Sequence, residues 1–162
     1  MPIESQSAIV RPKSARTFSS GTGVSCLLRS SASANAAAAL QPAGGFAVSY
    51  VPARREVGIV SADGQRAFFR EGSGSINYGL ITVLTKKTDA GPRRTMLFAG
   101  INSDGSDAAM DHLTSLFQLA DLARELKRPS GEIPGSFQVV VRSRSSDTRT
   151  LQSERVAIQI LR

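Results

Sequence analysis

The 162-residue chain has no tryptophan, one cysteine (Cys26) and one histidine (His112). A single cysteine excludes an internal disulfide, so nothing in the chain calls for an oxidising compartment. No Asp or Glu stands close in sequence to both Cys26 and His112, which argues against a Cys–His nucleophile. Long apolar runs are missing too: none approaches the roughly 18 residues of a membrane span. Acids are scarce at the start. Residues 1–55 hold six Lys or Arg against Glu4 alone, whereas residues 56–162 hold fourteen against twelve Asp or Glu; the two parts, +5 and +2, make the net charge of +7. Aromatics are only 6% of the chain and are not interleaved with evenly spaced cations, as they would be on a folded nucleic-acid surface. Nucleic-acid contact is therefore expected only through the basic N-terminal tail, for which a plain solvated segment is the default. The same acid-poor start has the composition of a transit peptide, but Glu4 and Pro2 interrupt any amphipathic period.

Hydrophobic residues make up 41% of the sequence, enough for one domain with a real core. Residues 1–22 are polar and aperiodic and read as a flexible basic tail. Residues 23–162 read as a single α/β domain, best defined over 46–162. "GVSCLL" (residues 23–28) is a short buried strand, and Asn35 is placed to cap an Ala-rich helix. "FAVSYV", "REVGIVS" and "RAFFRE" form strands, with an Asp63–Gly64 turn between the last two. "NYGLITVLTKK" (77–87) and "TMLFAGI" (95–101) are apolar runs of the kind seen in strands buried on both faces. Ala109, Leu113, Leu116, Phe117, Ala120, Leu122, Ala123 and Leu126 recur at helical spacing until Pro129, with Thr114–Ser115 as an internal break. "GSFQVVVRSRS" and "ERVAIQILR" close the chain as a hairpin. Interleaved strands and helices predict an α/β or α+β fold. Its central mixed sheet carries packed helices, a Rossmann-like strand–glycine loop–helix unit, and edge hairpins.

The most chemical stretch is "AGINSDGSDAA". Gly100 and Gly105 have the spacing of a phosphate loop, but Ser106 stands where that loop needs lysine and Asp107 where it needs a hydroxyl. Nucleotide triphosphate binding is excluded on that ground. Two readings remain. In the structural one Gly105 allows a positive φ, and Asp104 or Ser106 caps the helix. In the functional one the loop lines a cleft, with Gly100, Asn102, Ser103, Asp104, Gly105, Ser106 and Asp107 as ligand-binding candidates. The acids would then favour a weakly charged polar ligand. Asp107 and Asp111 lie four apart on one helical face, which a solvated acidic surface explains without a metal.

The order of "NYGLITVL", "RRTMLFAGINSDGSDAAMDHLTS" and "SFQVVVRSRS…AIQILR" resembles an uncharacterised bacterial α/β domain. That domain is often found C-terminal to winged-helix DNA-binding domains in transcriptional regulators of soil bacteria. The matching positions are Tyr78–Gly79, Gly100–Gly105, Ser106, Ala108–Ala109 and Phe137–Val141. The resemblance implies an α/β fold and a regulatory setting. Through "CLLRSSASAN" it also implies that Ser33 and Asn35 lie near the Gly100 loop. The winged helix has no counterpart in residues 1–22.

These features lead to the expectation of a non-catalytic, cytoplasmic sensor or interaction domain. It would bind a small polar ligand or a partner protein at Gly100–Ser106, with no catalytic set, metal, cofactor or membrane contact. The alternatives are a small hydrolase-like enzyme acting on a nucleoside or sugar through Asp104 or Asp107, and a stand-alone remnant without activity.

Overall fold

The computed structural model describes residues 17–20, 24–29, 44–89, 91–146 and 149–161. Within them the strands are β1 (Thr17–Ser20), β2 (Val24–Arg29), β3 (Phe46–Val51), β4 (Glu56–Ser61), β5 (Ala67–Phe69), β6 (Ile76–Thr88), β7 (Gly91–Gly100), β8 (Phe137–Ser146) and β9 (Arg149–Ile160). Two helices, α1 (Ser103–Thr114) and α2 (Leu116–Leu126), lie between β7 and β8. β1 falls inside the segment expected to be a flexible tail. The Ala-rich helix after Asn35 lies outside the described residues.

Six strands form one sheet in the order β1-β2-β7-β6-β8-β9, and β3-β4-β5 form a second. β6 sits at the heart of the first, antiparallel to both β7 and β8, with Leu80 opposite Ala99 and Val140. Alternate residues of these strands serve two different cores. Ile81, Val83, Phe98, Val139 and Val141 pack under Ala109, Leu122 and Leu126 of the helices. Tyr78, Leu80 and Val140 face the other way, against Phe46, Val48 and Ile59 of the small sheet. The large sheet is thus the middle of three layers.

This architecture overturns the Rossmann-like α/β expectation. The chain is β-rich, and its pairing is antiparallel except between β2 and β7. The strands joined by the helices, β7 and β8, are not neighbours, because β6 lies between them. The misreading has a physical cause. Continuous apolar runs mark a strand covered on both faces, and that cover need not be two layers of helices around a parallel sheet. Here one cover is helical and the other is a second antiparallel sheet. The Asp63–Gly64 turn forms as expected, with Gly64 at φ +69 and Asp63 Oδ1 accepting from the Gln65 amide. The break at Thr114–Ser115 forms as well: Ser115 ends α1 and caps α2.

One side chain fastens the small sheet to the large one. Gln138, fully buried on β8, accepts from the Phe46 amide at 2.6 Å and donates to the Phe46 carbonyl at 2.9 Å. Its Nε2 also donates to Thr82 Oγ1 at 3.0 Å. The amide imitates a neighbouring strand and satisfies both backbone groups at the start of β3. Gln138→Leu keeps the bulk but orphans both, and should lower unfolding free energy by about 2–4 kcal/mol in urea titrations. A loss under about 0.5 kcal/mol would show that β3 docks by apolar contact alone.

Candidate functional site

The glycine loop is built for packing. Asn102, in extended conformation, caps α1: its Oδ1 accepts from the Gly105 amide at 2.9 Å, and its Nδ2 donates to Asn77 Oδ1 at 2.8 Å. The cap is therefore neither Asp104 nor Ser106. Gly105 is not among the residues with positive φ; it lies inside the first turn of the helix, against β6. A Cβ at Gly105 would overlap the Tyr78 carbonyl, one at Gly79 would overlap the Gly105 carbonyl, and one at Gly100 would overlap the Ser106 amide. These three glycines bring helix backbone directly onto strand backbone.

The candidates from the sequence are distributed accordingly. Gly100, Gly105 and Ser106 are buried, Asn102 and Asp104 are half-buried, and Ser103 and Asp107 face solvent. The Ser106 amide bonds to the Asn102 carbonyl. Burial, with repulsion from Asp111 and Asp104, raises the Asp107 carboxyl above its usual range. Its charge is thus not a net gain at the helix start. Ser33 and Asn35 lie outside the described residues. Among the described residues, no cluster of three or more His, Cys, Asp or Glu is arranged to hold a metal ion.

A cleft of about 500 Å³ lies elsewhere, between α2 and β9. Arg155 forms its floor. A bulge positions that side chain: Val140 pairs with Ala157 but Val141 pairs with Arg155, so Val156 is the extra residue. The bulge turns Arg155 to the helix side of the sheet while Ala157 keeps to the other core. There the guanidinium, only 15% exposed, meets Asp121 through one nitrogen, which also donates to Glu125 at 3.1 Å. Arg155 holds the Asp121 carboxyl below its ordinary pKa, chiefly by hydrogen bonding. Gln118 ties the wall to the floor by donating to Ser153 Oγ at 3.2 Å.

Behind the cleft stands His112, 1% exposed, with Nε2 3.5 Å from an Arg155 nitrogen. Its Nδ1 has no hydrogen-bond partner among the described residues. Burial, then the Arg155 charge, brings its pKa down to about 4 against the opposing pull of Asp121. The ring is a neutral acceptor for Arg155 at neutral pH. At the rim Phe117 is 81% exposed, an unusual state for a large apolar side chain beside a groove, and Leu116 before it in the chain is 84% exposed.

Comparison with family models, with curated proteins and with solved structures finds no match to this chain. The assignment therefore rests on geometry. Sequence reasoning did not single out Arg155, Asp121 or Glu125, and it placed Leu116 and Phe117 in the apolar period of the helix, where the structure leaves both exposed. One signal was present, since Asp121 and Glu125 are four apart and share a helical face. The bulge that brings Arg155 to them left none, because "ERVAIQILR" reads as plain alternation.

Two measurements check this description. Ala in place of Gly inside a helix ordinarily gains about 1 kcal/mol. Gly105→Ala should instead destabilise by at least about 2 kcal/mol, because strand backbone occupies the space. Unchanged or higher stability on chemical denaturation would mean that α1 does not rest on β6. The second concerns pH. The folded-state pKa of His112 lies below its unfolded value, so its contribution is full above about pH 6.5 and fades as pH falls toward 4. Wild type should lose about 2–3 kcal/mol more than His112→Leu between pH 7 and 4.5. Parallel pH curves for the two proteins would refute the buried neutral imidazole.

Proposed function

We propose that the chain is a non-catalytic interaction domain that seats an extended segment of a partner protein in the α2–β9 cleft. The observation that carries this reading is the exposed Phe117 at the rim of a groove whose floor is the outermost strand of the large sheet. Among the described residues nothing pairs with the outer edge of β9, so its amides and carbonyls can accept one more strand. Apolar partner side chains would cover Phe117 and Val156. The chemistry of the cleft sets the charge: Asp121 and Glu125 against Arg155 leave a surplus of one negative charge, Glu154 being paired with Arg142. The segment that fits alternates apolar with Lys or Arg residues.

His112 Nδ1 and Arg155 Nε are buried without a partner among the described residues, while the carboxylates of α2 in the cleft are engaged by Arg155. That suits a docking surface better than a reaction centre. The amides of Gly105 and Ser106 are likewise taken up by Asn102, which favours the cleft over the glycine loop as the binding face. A cytoplasmic regulatory setting, as the resemblance implies, accords with a domain whose task is to hold a partner. Among the described residues no helix is long and apolar enough to cross a membrane.

Selection of a random display-peptide library on the full chain tests the proposal. Enriched peptides should alternate apolar and basic residues. Phe117→Asp should weaken their binding by at least about tenfold, the effect of losing one apolar anchor, and Asp107→Asn should leave it unchanged. Acidic peptides, or binding that survives Phe117→Asp and fails in Asp107→Asn, would move the site away from the cleft.

A further inference from the structure

The β6–β7 hairpin runs past its neighbours. The last β6 residue paired with β8 is Val83, and β2 reaches along β7 only to Arg94. Among the described residues the pairing continues alone through Lys86–Arg93, Lys87–Pro92 and Thr88–Gly91, and Thr88 Oγ1 donates to the Gly91 carbonyl. A two-stranded ribbon about 10–13 Å long thus projects from the end of the sheet. Its base is braced by the segment before β8, since the Thr85 amide donates to Ser136 Oγ at 2.9 Å.

Its charge is one-sided. Residues 85–94 carry Lys86, Lys87, Arg93 and Arg94 against Asp89 alone. All four cations are exposed, and none makes an ion pair among the described residues. Lys86 and Arg93 sit directly opposite each other, an arrangement that costs stability in a sheet. Lys87 and Arg94 occupy the other face by the same alternation. Cations therefore line both faces of a narrow ribbon, and among the described residues no carboxylate pairs with them.

We infer that this ribbon is a binding arm for duplex DNA. A two-stranded ribbon fits the B-form major groove, and cations on both faces can reach the phosphates of both groove walls. The deep, narrow major groove of an RNA duplex would not admit it. The arm carries no aromatic side chain on which single-stranded bases could stack, and no large apolar residue at its tip to enter a bilayer. Recognition runs through phosphates, so it is largely indifferent to sequence and steeply dependent on salt. Neither α2 nor β9 contributes, so the arm and the peptide cleft are separable.

The full chain is titrated into a dye-labelled 20-base-pair duplex of mixed sequence between 50 and 200 mM NaCl. Four phosphate contacts give a log–log salt slope of about −4. Replacing Lys86, Lys87, Arg93 and Arg94 by Gln should weaken binding at least about tenfold at low salt and flatten the slope toward zero. The melting temperature should be unchanged or raised, because like charges have been separated. A variant with Arg54, Arg55, Arg70 and Arg124 replaced by Gln removes the same charge from other surfaces and should bind within about twofold of wild type. Equal losses in the two variants would reduce the effect to net charge and overturn the proposal. So would binding that survives in the arm variant, which would place the contact elsewhere, such as the basic N-terminal segment. Absence of binding at 50 mM salt also overturns it. Vesicles of phosphatidylserine and phosphatidylcholine are run alongside, and arm-dependent binding to them without binding to DNA would assign the arm to a membrane surface instead.

Discussion

The packing of α1 on β6 depends on a contact in which no side chain takes part. At Gly79, Gly100 and Gly105 the first turn of the helix and the central strand meet backbone to backbone, and the Asn102–Asn77 bond pins the helix start to the same strand. So close an approach draws Ala108 and Ala109 to full burial and fixes the angle at which α1 leaves the sheet. The positions of Ser115, α2 and the α2 wall of the cleft then follow from chain connectivity. A helix raised by one methyl group at this point would carry Asp121 and Glu125 away from Arg155.

On the opposite face Gln138 solves a related problem by different means. Two sheets in contact leave polar backbone at the ends of their strands, and burying it unpaired is costly. A glutamine amide has one donor side and one acceptor side, so it can complete a peptide unit as another strand would. Glycine contact on one side and amide mimicry on the other let Asn77–Val83 of β6 and Phe137–Val141 of β8 be buried on both faces. That is why their sequences look like those of strands from a parallel sheet.

The positions of most elements were legible, because strand alternation, the 3.6-residue period and the Ser115 break are local signals. What covers each face is not local. The run "NYGLITVL" states that both faces of β6 are buried, and nothing within it distinguishes a helix from a second sheet as the cover. The glycine loop shows the same limit. Gly100 and Gly105 announce a close approach, yet the approaching partner, the Tyr78 carbonyl, is 27 residues from Gly105 in the chain and belongs to another strand. The cleft was the least legible feature, since it exists only once the bulge has changed which way Arg155 points.

That bulge gives β9 an unusual relation between length and meaning. From Arg155 back to Gln152, where a second register shift follows, each residue owes its facing to one supernumerary position, so this stretch has a reading frame in the geometric sense. Deleting Val156 would only remove the bulge and leave Arg155 opposite Val141, whereas inserting one residue between Arg155 and Val156 would turn Arg155 into the apolar layer beneath the small sheet and Glu154 toward the helices. Most substitutions along β9 change one contact at a time. A single-residue insertion there moves the residues ahead of it to the opposite face, so this stretch of the strand should tolerate changes of residue far better than added length.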